Sequence, residues 1–166
     1  MVRFESVTGC GRRWGMEVLV RDNQIIRKVD PTAVEEVMLG LMRELGCNED
    51  AELSVLFTND DEMQLLNSGY RGVNEPTDVL SFPMMGAGPV DMLGDIVISV
   101  PTTVRQAKEY EVTEDQRLCR LLIHGLLHLL GFDHEGDEED AKKMFAKEED
   151  LMQKYGHRIL FQKGIA

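Results

Sequence analysis

Three of the chain's four histidines fall in one short segment, His124, His128 and His134. His124 and His128 are four residues apart, so on a helix they stack on one face, one turn from each other. Two imidazoles placed this way can bind one metal ion without backbone strain. Gly131 permits a chain reversal just after them, which lets His134 swing back toward the same point. Three neutral nitrogens with a vacant fourth position describe a catalytic rather than a structural zinc. The bland alternative is three unrelated histidines, each satisfying a local hydrogen bond. Against it, Leu121, Leu122, Leu126, Leu127, Leu129 and Leu130 make the helix apolar around most of its circumference. Histidines buried in such a helix need partners, and a metal supplies one to each.

The surrounding elements must position this segment. Thr113 and Gln116 predict a capping box for a helix from Glu114 to Leu130, with Gly131 at its C-terminal turn. Upstream, residues 17–21 and 24–29 read as short strands around an Asp22-Asn23 turn. Asp30-Pro31-Thr32 opens a helix, with Thr32 and Glu35 as its capping box, and Gly46 stops it. Glu52 to Phe57 alternates as a strand. Asn59 caps a short helix that Gly69 ends. Asp78 to Phe82 and Asp95 to Val100 are further strands. A helix follows to about Tyr110, and a last one runs from about Asp137 to Tyr155. Helices and strands interleave, which predicts a single α/β or α+β domain over residues 1–166, a small mixed sheet packed with helices.

Composition bounds the function. The 166 residues carry a net charge of −12, with 43% hydrophobic and 29% charged side chains. That supports a globular core and excludes disorder as the main state. It also argues against a plain electrostatic binder of nucleic acid, because such proteins carry a basic excess. Met1 to Thr8 shows no basic region followed by an apolar run, and no segment reaches the ~20 apolar residues of a membrane span. Cytoplasmic location and no membrane partner are therefore expected. Cys10, Cys47 and Cys119 have no CxxC spacing and read as reduced thiols.

His124 to His134 is similar to the zinc-protease motif H-E-x-x-H-x-x-G-x-x-H in its histidine and glycine spacing, but Gly125 stands where that motif has its general base. Peptide hydrolysis loses its proton acceptor, while the metal site stays whole. The same segment resembles the H-G-x-L-H-L-x-G-x-D-H signature of the YbeY family of bacterial rRNA-maturation endoribonucleases. Leu66-Asn67-Ser68-Gly69-Tyr70-Arg71, Pro76-Thr77-Asp78-Val79-Leu80-Ser81-Phe82-Pro83 and Leu93-Gly94-Asp95-Ile96-Val97-Ile98 match in family order and spacing. The resemblance covers roughly residues 53–156.

It implies a metal-dependent, single-strand-specific endoribonuclease in 3′-end maturation of small-subunit rRNA and in ribosome quality control. His124, His128 and His134 would hold zinc, though nickel, copper or iron also suit imidazoles. Such an ion would lower the pKa of its water toward ~7. Arg71 would hold the non-bridging phosphate oxygens as negative charge builds on them. The small ribosomal subunit and a ribosomal or assembly protein would be its partners. Competing readings are an assembly factor with a mainly structural metal, and a metallohydrolase on a non-RNA substrate.

Asp78, Asp95 and Asp133 are candidate acceptors for the histidines' second ring N–H groups, with strand-end or turn capping as the alternative. Thr77 and Ser81 read as strand packing, with a face toward substrate as the alternative, and Met84, Met85 and Met92 as core filling, with a soft contact surface as the alternative. On a helical wheel Arg117 and Arg120 fall on the side of His124, either lining a phosphate entrance or marking an exposed helix start. Residues 133–153 hold nine acidic side chains against three lysines, which reads as a solvated face. Weak general affinity for RNA and delivery through protein contacts follow from this charge.

Overall fold

The computed structural model describes residues 15–84, 91–133 and 135–163. Cys10, His134 and residues 85–90 lie outside the described residues. Among the described residues four strands, β1 (Glu17–Asp22), β2 (Glu52–Thr58), β3 (Val79–Pro83) and β4 (Met92–Ser99), form one mixed sheet in the order β1-β2-β4-β3. The first three in that order run parallel, and β3 is antiparallel to β4. Among the described residues five helices accompany them: α1 (Pro31–Glu44), α2 (Asp60–Arg71), α3 (Val100–Glu109), α4 (Glu114–Leu129) and α5 (Glu138–Tyr155). The mixed α/β class expected from the interleaved pattern is what the chain adopts.

Period-two alternation divides the strand residues between two cores. Val55, Phe57, Ile96 and Ile98 join the main core with residues of α1, α4 and α5. Leu56, Leu80 and Val97 instead meet Met63 and Leu66 of α2. Helices therefore cover both faces, and α4 is the central one of the larger layer. Its Leu118, Leu122, Ile123, Leu126 and Leu127 are fully buried. At roughly 1.5–3 kcal/mol for each such side chain, this face dominates the helix's energetics.

The caps fix where the helices begin and end. The Thr113–Gln116 capping box of α4 forms with both reciprocal bonds at 3.0 Å. The N-cap of α1 is Asp30, not Thr32: its carboxylate accepts from Thr32 and Ala33, and Pro31 takes the first turn. Gly69 lies inside α2, which runs on to Arg71 and ends at Gly72 with φ 70°. Arg71 thus sits on a helix end rather than in a loop. The N-terminus of α2 is tied to α3, because Asp60 accepts from Ser99, Thr102 and Arg105. Burial raises the Asp60 pKa, but these three hydrogen bonds and the Arg105 charge outweigh it and hold the carboxyl below its usual value.

The run 24–29 is not a strand. Side chains of Asp22 and Gln24 capture the local backbone groups: Gln24 accepts from Ile26 and Arg27 and donates to the Arg27 carbonyl. With those groups taken, no ladder forms among the described residues beyond a single bridge between Val29 and Phe161, and Ile25 is left 99% exposed. β4 starts three residues before the predicted Asp95. Leu93 forms a bulge there, since Glu52 pairs with Met92 and Leu53 with Gly94. Gly94 has φ 138°, and a Cβ on it would meet the Phe82 carbonyl oxygen at 2.2 Å and Leu129 Cδ2 at 3.0 Å. Only glycine fits this crossing of β3, β4 and the end of α4.

Candidate metal centre

Helix α4 brings His124 and His128 together. Their Nε2 atoms lie 3.0 Å apart, and the rings meet edge to face with centroids separated by 4.6 Å. An ion with bonds of ~2.0–2.1 Å to nitrogen spans such a gap, so the pair fits a metal ligand set. Both histidines are partly exposed in a helix whose neighbouring positions are buried, so the pair opens to the surface.

The chain after them reverses as the glycine implies. The Phe132 amide donates to the Leu127 carbonyl and the Gly131 amide to that of His128, with Gly131 at φ 94°. These two bonds form a Schellman turn, which fixes the direction of the segment leading to His134. His134 itself is outside the described residues.

His124 presents its other ring nitrogen to Glu148, whose carboxylate accepts from Nδ1. Glu148 is only 8% exposed and comes from the middle of α5. Arg120 reaches the same carboxylate at 3.6 Å and the neighbouring Glu149 at 2.6 Å. Arg120, Glu148 and His124 therefore form a connected line. A proton on Nδ1 toward Glu148 leaves the lone pair on Nε2, the nitrogen that faces His128. Glu148 is a residue the sequence reading missed. The acidic run around α5 reads as a solvated face, and only its Met144, Glu148 and Leu151 are buried.

The three aspartates expected beside the histidines have the following places. Asp78 accepts from the Val79 amide at 2.7 Å and from Arg117 at 3.2 Å. Asp133 accepts from the Glu135 amide at 2.8 Å, closing the turn after α4. Asp95 stands on β4 opposite Phe82 and Ser54. Arg117 is held firmly: it pairs with Asp78, donates to Gln106 at 2.9 Å and lies 4.9 Å from the Tyr110 ring centroid. Arg117 and Arg120 do line a recess of about 290 Å³ with Tyr110, Val112, Gln116 and Met152, but both are matched by carboxylates.

Arg71 ends α2 with its guanidinium 3.8 Å from Glu135, the residue that follows His134 in the chain. Both side chains are more than half exposed, so this ion pair is weak and exchangeable. Ser81 of β3 donates to the carbonyl of Gly125 at 3.0 Å, pinning the edge strand to α4 between the two histidines. Thr77 is a distant partner of Asp78 at 3.4 Å. The histidine pair and Arg71 are legible in the sequence, whereas Glu148 and the Ser81 contact are visible only in the structure.

Comparison with known proteins assigns the chain to a family. The family model described as Endoribonuclease YbeY matches residues 16–156. The protein named Endoribonuclease YbeY from Shouchella clausii is 37% identical over 147 residues, 81% of this chain and 91% of that protein. The protein of the same name from Bacillus cytotoxicus is 41% identical over 143 residues, 75% of this chain and 91% of that one. The solution structure of TM1509 from Thermotoga maritima superposes with a TM-score of 0.61 at 28% identity, covering 83% of this chain and 88% of that chain. The match begins well before the motifs, at β1, so it takes in the whole sheet as well as the histidine helix, and the chain belongs to the endoribonuclease YbeY family.

Proposed function

We propose that this protein is a metal-dependent endoribonuclease that cuts single-stranded RNA in one domain spanning residues 1–166. It acts in maturation of the 3′ end of small-subunit rRNA and in ribosome quality control. The observation that carries the reading is the convergence of His124 and His128 at Nε2, 3.0 Å apart, with Glu148 on the far nitrogen of His124. His124 and His128 hold the ion, with His134 as the third ligand. Three imidazoles suit zinc, and also nickel, copper or iron. When bound, such an ion supplies Lewis acidity and lowers the pKa of water toward ~7.

The chain's own residues do the rest. Glu148, braced by Arg120, keeps the Nδ1 proton of His124 in place and so presents Nε2. Ser81 fixes the α4 backbone at Gly125, which holds the pair at a constant height over the sheet. Arg71 exchanges Glu135 for a phosphate and stabilises the charge that builds on its oxygens during cleavage. Asp78 holds the start of β3 and Asp133 the turn after α4 around these groups.

The net charge of −12 disfavours unspecific RNA binding, because little counterion release is available. Delivery to the small subunit by a ribosomal or assembly protein, in the cytoplasm, accords with that balance. Among the described residues no helix is long and apolar enough to cross a membrane. Single-turnover cleavage of an rRNA precursor by wild type, His124→Ala and Arg71→Ala tests the reading. Wild type cleaves and both variants lose most of the rate. Cleavage that survives both substitutions rejects it.

A further inference from the structure

Tyr70 belongs to the motif segment that ends in Arg71, yet the mechanism above gives it no part. Its ring packs on that of Phe82 with centroids 4.6 Å apart and planes inclined at 54°. Phe82 is partly buried beside the small core of Leu80, Val97 and Met63, whereas Tyr70 is 72% exposed. One ring is thus seated in the fold and holds a second ring out toward solvent.

Two links through neighbouring residues connect this pair to the proposed site. Arg71, the next residue after Tyr70, reaches Glu135, which follows His134 in the chain. Ser81, the residue before Phe82, touches Gly125 between His124 and His128. β3 is the edge strand of the sheet, and its side chains alternate, so Phe82 carries Tyr70 on the α2 face while the neighbouring Ser81 reaches the α4 face that bears the histidines. A chain that laid a phosphate on Arg71 would bring an adjoining base to Tyr70.

We infer that Tyr70, braced by Phe82, is a stacking platform for a nucleobase of single-stranded RNA whose phosphate is held by Arg71. The inference rests on the RNA-cleavage reading and locates part of its substrate. Stacking suits this surface. With few cations to attract phosphates, an acidic protein needs an apolar source of affinity, and every base offers a π face. It also selects single strands, because a base inside a duplex is already stacked and cannot reach the ring.

The test uses a short unstructured RNA oligonucleotide with Tyr70→Ala, Tyr70→Leu, Tyr70→Phe and Tyr70→Trp. Binding is read by fluorescence anisotropy under non-cleaving, metal-stripped conditions, and cleavage by the half-saturating RNA concentration. Tyr70→Ala and Tyr70→Leu weaken binding roughly 5- to 100-fold and raise half-saturation more than they lower the maximal rate, while Phe and Trp restore both. Leucine keeps an apolar side chain over Phe82 but has no π face, so a Tyr70→Leu protein that binds like wild type overturns the platform. So does an unaffected Tyr70→Ala. Failure of the cleavage reading would show separately, as wild-type protein that binds the oligonucleotide and leaves it intact.

Discussion

A Cβ placed on Gly125 of α4 would lie 2.9 Å from Cγ2 of Ile96 on β4. The helix that carries the histidines therefore rests on the sheet at van der Waals contact, and it does so at the residue between the two ligands. This explains the departure from the zinc-protease motif in steric terms: a glutamate at 125 has Ile96 in its path.

Gly125→Ala is expected to destabilise the protein. Overpacking costs about 1–3 kcal/mol, partly offset by about 1 kcal/mol of improved helix propensity. Urea unfolding measures the net. In an Ile96→Ala background the obstruction is gone, so the same glycine substitution should become neutral or stabilising. Equal effects in both backgrounds would show that the contact does not set the helix position.

Glu148→Ala should weaken metal binding about 10- to 100-fold, because the acceptor that orients His124 is lost. Competition with a chromophoric chelator reads this without any nuclease assay. Arg120→Ala should act in the same direction but less strongly, since Glu148 keeps its bond to His124. Wild-type affinity in Glu148→Ala would remove the orienting role.

Arg71→Ala should lower the single-turnover rate about 10²- to 10³-fold with unchanged melting temperature. Its only ion pair among the described residues is the exposed one with Glu135, so little stability rests on it. A large loss of stability would instead identify Arg71 as a structural residue.

Arg117 behaves differently. Its side chain is 14% exposed and paired with Asp78, so Arg117→Ala should destabilise by about 1–2 kcal/mol, between exposed and fully buried pairs. The salt dependence of RNA binding should stay as in wild type. A flatter salt slope would place Arg117 on phosphate instead.

Cys119 is fully buried, and burial pushes its thiol up to about 12 from the usual 9.0. The folded form keeps this proton after the unfolded chain releases it. Stability should therefore fall as pH rises from about 9 toward 12, and less so in Cys119→Ala. Thiol reagents at neutral pH should leave Cys119 unmodified until the protein unfolds.

The parts legible in the sequence are the local ones. The i,i+4 histidines, the Thr113 cap and the Gly131 turn each depend on residues within one or two helical turns, and the fold leaves them unchanged. Glu148 is invisible at that range because its partner His124 is 24 residues away on another helix, and neighbouring acids on α5 are solvated. The strand expected over 24–29 fails for a related reason. The β-like pattern is present, but the Gln24 side chain competes for the backbone groups that a ladder needs. The end of α2 turns on which of two glycines takes the left-handed turn. Gly72 does, with Asn67 donating to the Glu75 carbonyl to close the segment beyond it.

Metal dependence can be tested on one preparation. Protein stripped with a chelator is titrated with zinc while single-turnover cleavage of an rRNA precursor is followed, in wild type and in His128→Ala. The wild-type rate should rise with zinc and saturate near about one ion per chain, and His128→Ala should stay at the stripped level. Stripped wild type that cleaves at full rate, or His128→Ala that responds to zinc as wild type does, would contradict a metal held by the α4 histidines.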